Sequence, residues 1–272
     1  MSETLNYVYD TMDDVHKDKS AHTRRNMIAG TGALLGSMGM LAWADKAEAQ
    51  GISNDSPNTP KAILDIAATA EVLATIVNTV GFERISLSPL ERLNIAGAAF
   101  EEKIHYDVLV SSGVGGVPLT KRIWVPDAIF ASRTGFFGAL AVGDQIFINA
   151  YLLGTTVFAR AGGSQNARFA RFAAEFMSAE AVHRALAIQS LSGGTASGND
   201  RAFAKFAQPE PATTVPNTGQ PGFYDINGAV TQLQGAGFGF GKEVASPGKF
   251  YEYDEVSKRT PEPTFVTTRP PS

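Results

Sequence analysis

Phe100-Glu-Glu-Lys-Ile-His105 and, further along the chain, Ala179-Glu-Ala-Val-His-Arg184 decide how this sequence is read. Each holds one Glu-x-x-His pair: Glu102 with His105, and Glu180 with His183. On a helix, an i, i+3 spacing puts both side chains on one face, one turn apart. The chain has four histidines, and the other two, His16 and His22, fall in an N-terminal segment expected to be removed. Every histidine of the mature protein therefore follows a glutamate by three residues. Carboxylate plus imidazole, presented twice, is the ligand set of a two-metal site in a helical bundle.

Outward from these pairs, the spacing of apolar residues predicts four helices. The first opens after Thr59-Pro60, a cap residue with proline in the first turn, and runs to about 78, before Gly81. Its stripe is Ile63, Ile66/Ala67, Ala70, Leu73/Ala74 and Val77, and Glu71 sits inside that stripe. Ser88-Pro89-Leu90-Glu91 is a capping-box signature for the second helix, about 89–111. Its inner face is Ile95, Ala98/Ala99, Glu102, His105/Tyr106 and Leu109, which turns the neighbouring Glu101 about 100° away, toward water. A third helix is placed at about 136–161, up to Gly162-Gly163. The fourth, capped by Ser164, reaches about Ser190, with Phe169, Phe172/Ala173, Phe176/Met177, Glu180, His183/Arg184 and Ala187 facing inward. Those phenylalanines read as core.

The connections are short, long, short. The first and third make antiparallel hairpins, and the stretch 112–134, rich in Gly and Pro with weak helical signals only after Pro126, carries the chain back along the bundle. After Gly194 the pattern dissolves into Gly, Pro, Thr and Asn, with one further helix at about 225–236. The run Gly235-Ala-Gly-Phe-Gly-Phe-Gly241 lacks a preceding strand and a following cap, so it is not a phosphate loop. Residues 193–272 are thus expected to be an irregular extension.

Composition narrows the partners. A net charge of −4 on 272 residues argues against nucleic acid or an anionic membrane surface. With no cysteine, disulfides and thiolate metal sites are excluded. Thr23-Arg-Arg-Asn-Met-Ile28, a mildly apolar run from Ala29 to Trp43 and Ala47-Glu-Ala49 resemble a bacterial twin-arginine export signal over residues 1–49. The apolar run is too short and too glycine-rich to span a bilayer. The resemblance implies export of an already folded protein to the periplasm or beyond, a mature chain starting near Gln50 with a flexible leader over 50–60, and no membrane span after cleavage.

The segments Ala70-Glu-Val-Leu-Ala74, Phe100–His105 and Ala179–Arg184 resemble the ferritin-like family of exported bacterial and desiccation-related proteins, over about residues 60–192. The resemblance implies an all-α fold, a ferritin-like four-helix bundle (61–192) with one long crossover between its second and third helices. It also implies a pair of iron or manganese ions. In such bundles two helices each give one Glu and two give Glu-x-x-His. Here the ligands would be Glu71, Glu102, His105, Asp144, Glu180 and His183. Glu102 and Glu180 would bridge, Glu71 and Asp144 would cap one ion each, and His105 and His183 would complete the set. The third helix departs from the family pattern. Ala150-Tyr151 is present, but Asp144 or Gln145 stands where a glutamate is expected, and no glutamate occurs in that helix.

Two readings of function follow. The first is an exported protein with a di-iron or di-manganese carboxylate site, used in metal-dependent oxidation or protection against peroxide and stress. The second is a metal-free, non-enzymatic envelope or stress protein that binds a partner through its C-terminal extension. A single-metal site of Glu102, His105, Glu180 and His183 is a third option. The sequence permits a homodimer, leaves catalysis open, and carries too long an extension for an iron-storage shell.

Overall fold

The computed structural model describes residues 58–193 and 225–263. The export signal, most of the leader, His16, His22 and the Pro/Thr-rich tail lie outside the described residues.

Thr59 caps α1 (Pro60–Arg84): its side chain accepts the Ala62 N–H, with Pro60 in the first turn. Ser88 and Glu91 close the expected capping box at the start of α2 (Pro89–Leu109). Strand β1 (Arg122–Pro126) and a single turn, α3 (Asp127–Phe130), lie in the crossover, and Ser132 then caps α4 (Arg133–Ala161). Only Gly162 separates α4 from α5 (Gly163–Ser192). Its φ of 71° lets the chain reverse in one residue, a conformation that costs glycine little. No side chain caps α5, so the cap expected of Ser164 is not formed. The extension contains α6 (Asn227–Gly235), β2 (Gly239–Phe240), β3 (Gly248–Glu252), α7 (Tyr253–Val256) and a 3-10 turn at Ser257–Arg259.

The four long helices form two hairpins, α1/α2 and α4/α5, which pack through α1 against α4 and α2 against α5. Their shared core contains Ile76, Tyr106, Phe136, Phe137, Leu153, Phe158 and Phe176. Both α1 and α4 are long and apolar enough to cross a membrane, yet 89% and 56% of their most apolar windows are buried within the fold.

Three expectations need correction. Helix α1 does not stop before Gly81 but passes through it, and the Ile85 N–H bonds the Gly81 carbonyl. Glycine is needed there for space, because a Cβ would come within 2.1 Å of the Phe136 ring. The fold is mostly helical but not all-α, since β1 sits between β2 and β3 in a three-stranded antiparallel sheet. Ile123 pairs with both Phe240 and Tyr251. The described part of the extension, finally, is ordered against the bundle. Its α7 and 3-10 turn pack on α1, with Arg259 bonded to Glu83 at 2.8 Å and the Thr79 and Thr260 hydroxyls 2.9 Å apart. The crossover adds bonds from the Val117 N–H to Asp65 and from the Leu119 N–H to the Thr69 hydroxyl. Helix α1 is therefore enclosed on nearly all sides, which explains why its polar residues Thr69, Thr75, Asn78 and Thr79 are as buried as its apolar stripe.

Gly81→Ala tests this packing. Alanine gains about 0.5–1 kcal/mol of helix propensity. Overpacking against a ring itself wedged beside Phe130 and Phe137 costs about 1–3 kcal/mol. The expected result is a lower thermal midpoint, and an unchanged or higher one contradicts the close contact.

Candidate metal centre

All six polar groups that the sequence singles out are buried in the bundle. Helix α1 brings Glu71, α2 brings Glu102 and His105, α4 brings Asp144, and α5 brings Glu180 and His183, all buried. Glu71, Glu102 and Glu180 have no exposed surface at all. Tyr151 joins them, on the same face of α4 two turns after Asp144, and its hydroxyl donates to Glu71 Oε1.

The distances have a crosswise pattern. His105 Nδ1 lies 3.5 Å from Glu102 Oε2 and 3.9 Å from Glu180 Oε1, with Glu71 Oε1 at 3.7 Å. His183 Nδ1 lies 3.1 Å from the other oxygen of Glu102 and 3.6 Å from the other oxygen of Glu180. Each of these two carboxylates thus turns one oxygen to one imidazole and its second oxygen to the other. Glu71, Glu102, His105 and Glu180 each offer a ligand atom, and the four atoms lie within 4.8 Å of one another, a buried group able to hold a metal ion. Asp144 and His183 stand just outside that group.

Few of these atoms are satisfied by the protein. Both oxygens of Glu102 and of Glu180, Glu71 Oε2, Asp144 Oδ2 and the Nδ1 atoms of His105 and His183 are buried without a hydrogen bond. Burying one polar group without a partner costs about 1–3 kcal/mol. A cluster of this size asks for a partner that the described protein groups do not supply. Each imidazole is also held by a neighbouring side chain. Phe176 stacks on His105 at 4.0 Å between ring centres, and His183 Nε2 meets Glu101 Oε2 at 3.0 Å.

Glu101 is the residue that pattern reading missed. Its side chain is 44% exposed, in line with a water-facing position, but its carboxylate reaches back over the bundle to His183. A residue 100° off the inner face still reaches an adjacent helix when its side chain is long, so helical periodicity gives no signal for it. On α4, the ambiguity between Asp144 and Gln145 resolves: Asp144 faces inward, whereas Gln145 bonds Asn149.

Electrostatics follow from burial. Loss of water, reinforced by the charge of Glu102, raises the Glu71 carboxyl to about 8. Burial likewise raises Glu180 and Asp144 well above the usual carboxylate range, and the Tyr151 hydroxyl well above its own. Burial also acts to raise Glu102, but the charges of His183 and His105 overcome it and hold that carboxyl far below normal. For the imidazoles burial acts downward, yet Glu71 and Glu102 lift His105 to about 10, and Glu102 and Glu101 lift His183 well above normal. The hydrogen bond from His183 lowers Glu101. In the metal-free site burial thus favours the protonated form of Glu71, Asp144 and Glu180, while the surrounding carboxylates favour the charged form of both imidazoles.

No family model matches the chain, and neither a curated protein nor a solved structure is significantly similar to it.

The raised values fix a pH dependence for metal-free protein. Above the unfolded value of 4.5 an unfolded chain releases the Glu71 proton, whereas the folded one keeps it to about 8, so stability falls across that interval. The stability that His105 contributes is complete below its unfolded value of 6.5 and is lost as pH rises through about 10. Denaturant unfolding of chelator-treated protein should show stability decreasing from about pH 5 to pH 10. A flat or rising profile contradicts the assignment.

Proposed function

We propose that this chain is an exported ferritin-like protein whose bundle holds a pair of divalent iron or manganese ions, used in metal-dependent oxidation or protection against peroxide. The observation that carries the reading is the crosswise placement of Glu102 and Glu180 between His105 and His183. A carboxylate with one oxygen toward each of two imidazoles is arranged to bridge two ions, and the imidazoles are arranged to take one ion each. Charge supports the number. Glu71, Glu102, Asp144 and Glu180, all ionised, carry four negative charges, which two divalent ions neutralise and one does not.

In this reading Glu71 and His105 complete one position, and Asp144 and His183 complete the other. Bound there, such a pair would supply redox electrons for reaction with a small oxidant. The chain's own residues orient and seal the site. Tyr151 fixes one oxygen of Glu71, Glu101 fixes the outer nitrogen of His183, and Phe176 covers His105. Carboxylate partners of this kind set the tautomer and direction of a ligating imidazole. The twin-arginine resemblance of residues 1–49 supports export, and the two-hairpin arrangement with its long crossover supports the ferritin-like assignment.

A single ion held by Glu71, Glu102, Glu180 and His105 is the second reading, favoured by the 4.8 Å clustering of just those donors. It differs from the four-residue site read from sequence by taking Glu71 in place of His183. The metal-free partner-binding reading is disfavoured by the unsatisfied buried oxygens.

The test is metal content. Full-length protein stripped with chelator and reloaded with Mn²⁺ should carry close to two ions per chain, and its melting temperature should rise by several degrees. Loading should release protons from Glu71, Asp144, Glu180, His105 and His183, visible as a buffer-dependent heat of binding. Glu102→Ala should abolish both uptake and the thermal shift. Well under one ion per chain, with Glu180→Ala changing nothing, would sink the proposal.

A further inference from the structure

We propose that the outer face of α2, beside α5, pairs with the same face of a second copy of this chain, in an antiparallel twofold arrangement centred on Gly97. The pairing goes beyond the metal reading and does not depend on it.

The bundle is covered unevenly. The C-terminal extension lays α6 on α4, and α7 with the 3-10 turn on α1. Among the described residues, α2 packs chiefly on α1 and α5, which leaves its far side open. That side is apolar. Leu90 is 67% exposed and Leu93 49%, and Val182 on the neighbouring α5 is 56% exposed. Phe100 and Ile104 are half-buried, yet neither is among the half-buried side chains that pack on the core, as Val108 and Met177 do. At about 100° per residue, Leu90, Leu93, Phe100 and Ile104 all fall within about 60° of Gly97 around the helix. The inner residues Ile95, Glu102 and Tyr106 lie about 140–180° from it. Helix α2 thus carries two stripes, one for its own bundle and one that the described residues leave uncovered.

The order of residues along the outer stripe points to its occupant. Leu90 and Ile104 stand seven residues before and after Gly97; Leu93 is four before and Phe100 three after; Asn94 is three before and Glu101 four after. A twofold axis at Gly97, perpendicular to the helix, reverses the chain direction and keeps each edge of the stripe on its own side. Leu93 then meets Phe100 of the partner subunit, Leu90 meets Ile104 of the partner subunit, and Asn94 meets Glu101 of the partner subunit. Apolar groups face apolar groups and an amide faces a carboxylate, the self-complementarity that an isologous interface requires. A Cβ on Gly97 would meet nothing within 4 Å, so the crossing point is a notch that lets two helices approach closely. Glu101 is the one charge in the stripe, and one of its oxygens is already turned to His183 at 3.0 Å. Its other oxygen is left to accept from an amide across the axis.

Size agrees with this occupant. Side by side, α2 and α5 present a face roughly 30 Å long and 20 Å wide, about 600 Å² in outline. A stable interface takes about 800 Å² of accessible surface from each partner, and a corrugated face holds more accessible surface than its outline.

The experiment is analytical ultracentrifugation of the full chain and of variants on the stripe. A dimer is expected at about 10 µM. Leu93→Glu sets a charge against an apolar partner and should weaken association about a hundredfold or more, with the helical circular dichroism unchanged. The chain has no cysteine, so Gly97→Cys introduces a single thiol that faces its own copy across the axis. Mild oxidation of that variant should give a covalent dimer, whereas Leu119→Cys, at a 65%-exposed apolar position on the crossover, should not. A monomer at about 100 µM would overturn the inference. So would a dimer that is indifferent to Leu93→Glu and that Gly97→Cys fails to cross-link. A monomer that floats with phosphatidylcholine vesicles, and loses them on Leu93→Glu, would assign the stripe to lipid and overturn it as well.

Discussion

Glu71, Glu102, Asp144 and Glu180 lie together in the interior of one helical bundle, out of contact with water and with few hydrogen bonds to replace it. Four carboxyl groups so close cannot all ionise without a cation, because each charge loses its hydration and repels the others. The rest of the structure answers to that constraint. Either the site takes up protons, as the raised pKa values of Glu71, Asp144 and Glu180 describe, or a cation must balance the charge. The two imidazoles make both answers possible, as imidazolium ions in one state and as neutral ligands in the other.

Helix α1 is the element on which this arrangement leans. It carries Glu71 at its centre and is covered by α2 and α4 within the bundle, and by α7 and the 3-10 turn of the C-terminal extension outside it. A bundle core crowded with carboxyl groups needs its helices held against their mutual repulsion. The extension contributes to that hold through Arg259 on Glu83 and through β3, which pairs with β1 of the crossover. At the other hairpin, Arg133 at the start of α4 binds Glu91 of α2 and the Ser190 carbonyl of α5. Burial opposes the ionised Glu91, but Arg133 and the Ser88 N–H overcome it and hold the carboxyl down at about 2. The bundle is thus clamped at the end nearer Asp144.

Much of this was legible in the sequence, and what was not has a physical reason. The four helices, their caps at Thr59 and Ser88, and the inward placement of Glu71, Glu102, His105, Glu180 and His183 follow from periodicity and capping chemistry, which are local. Asp144, the α4 candidate, is buried in the same interior. The strands were not legible because β1 is five residues long and pairs with segments that follow it by more than a hundred positions. Gly81 misleads as a helix stop because its role depends on the ring of Phe136, which arrives from another helix. The partner of Glu101 was not legible for the same reason: His183 is on a different helix. Local pattern reads the inside of each element well and is blind to what the other elements bring.

Anomalous diffraction from crystals of the full chain grown with Mn²⁺ examines the central claim most directly. The account requires two anomalous peaks in the bundle core, with Glu102 and Glu180 each contacting both, one peak beside Glu71 and His105 and the other beside Asp144 and His183. A core without anomalous signal, or a single peak that leaves His183 and Asp144 uncoordinated at saturating metal, would contradict it.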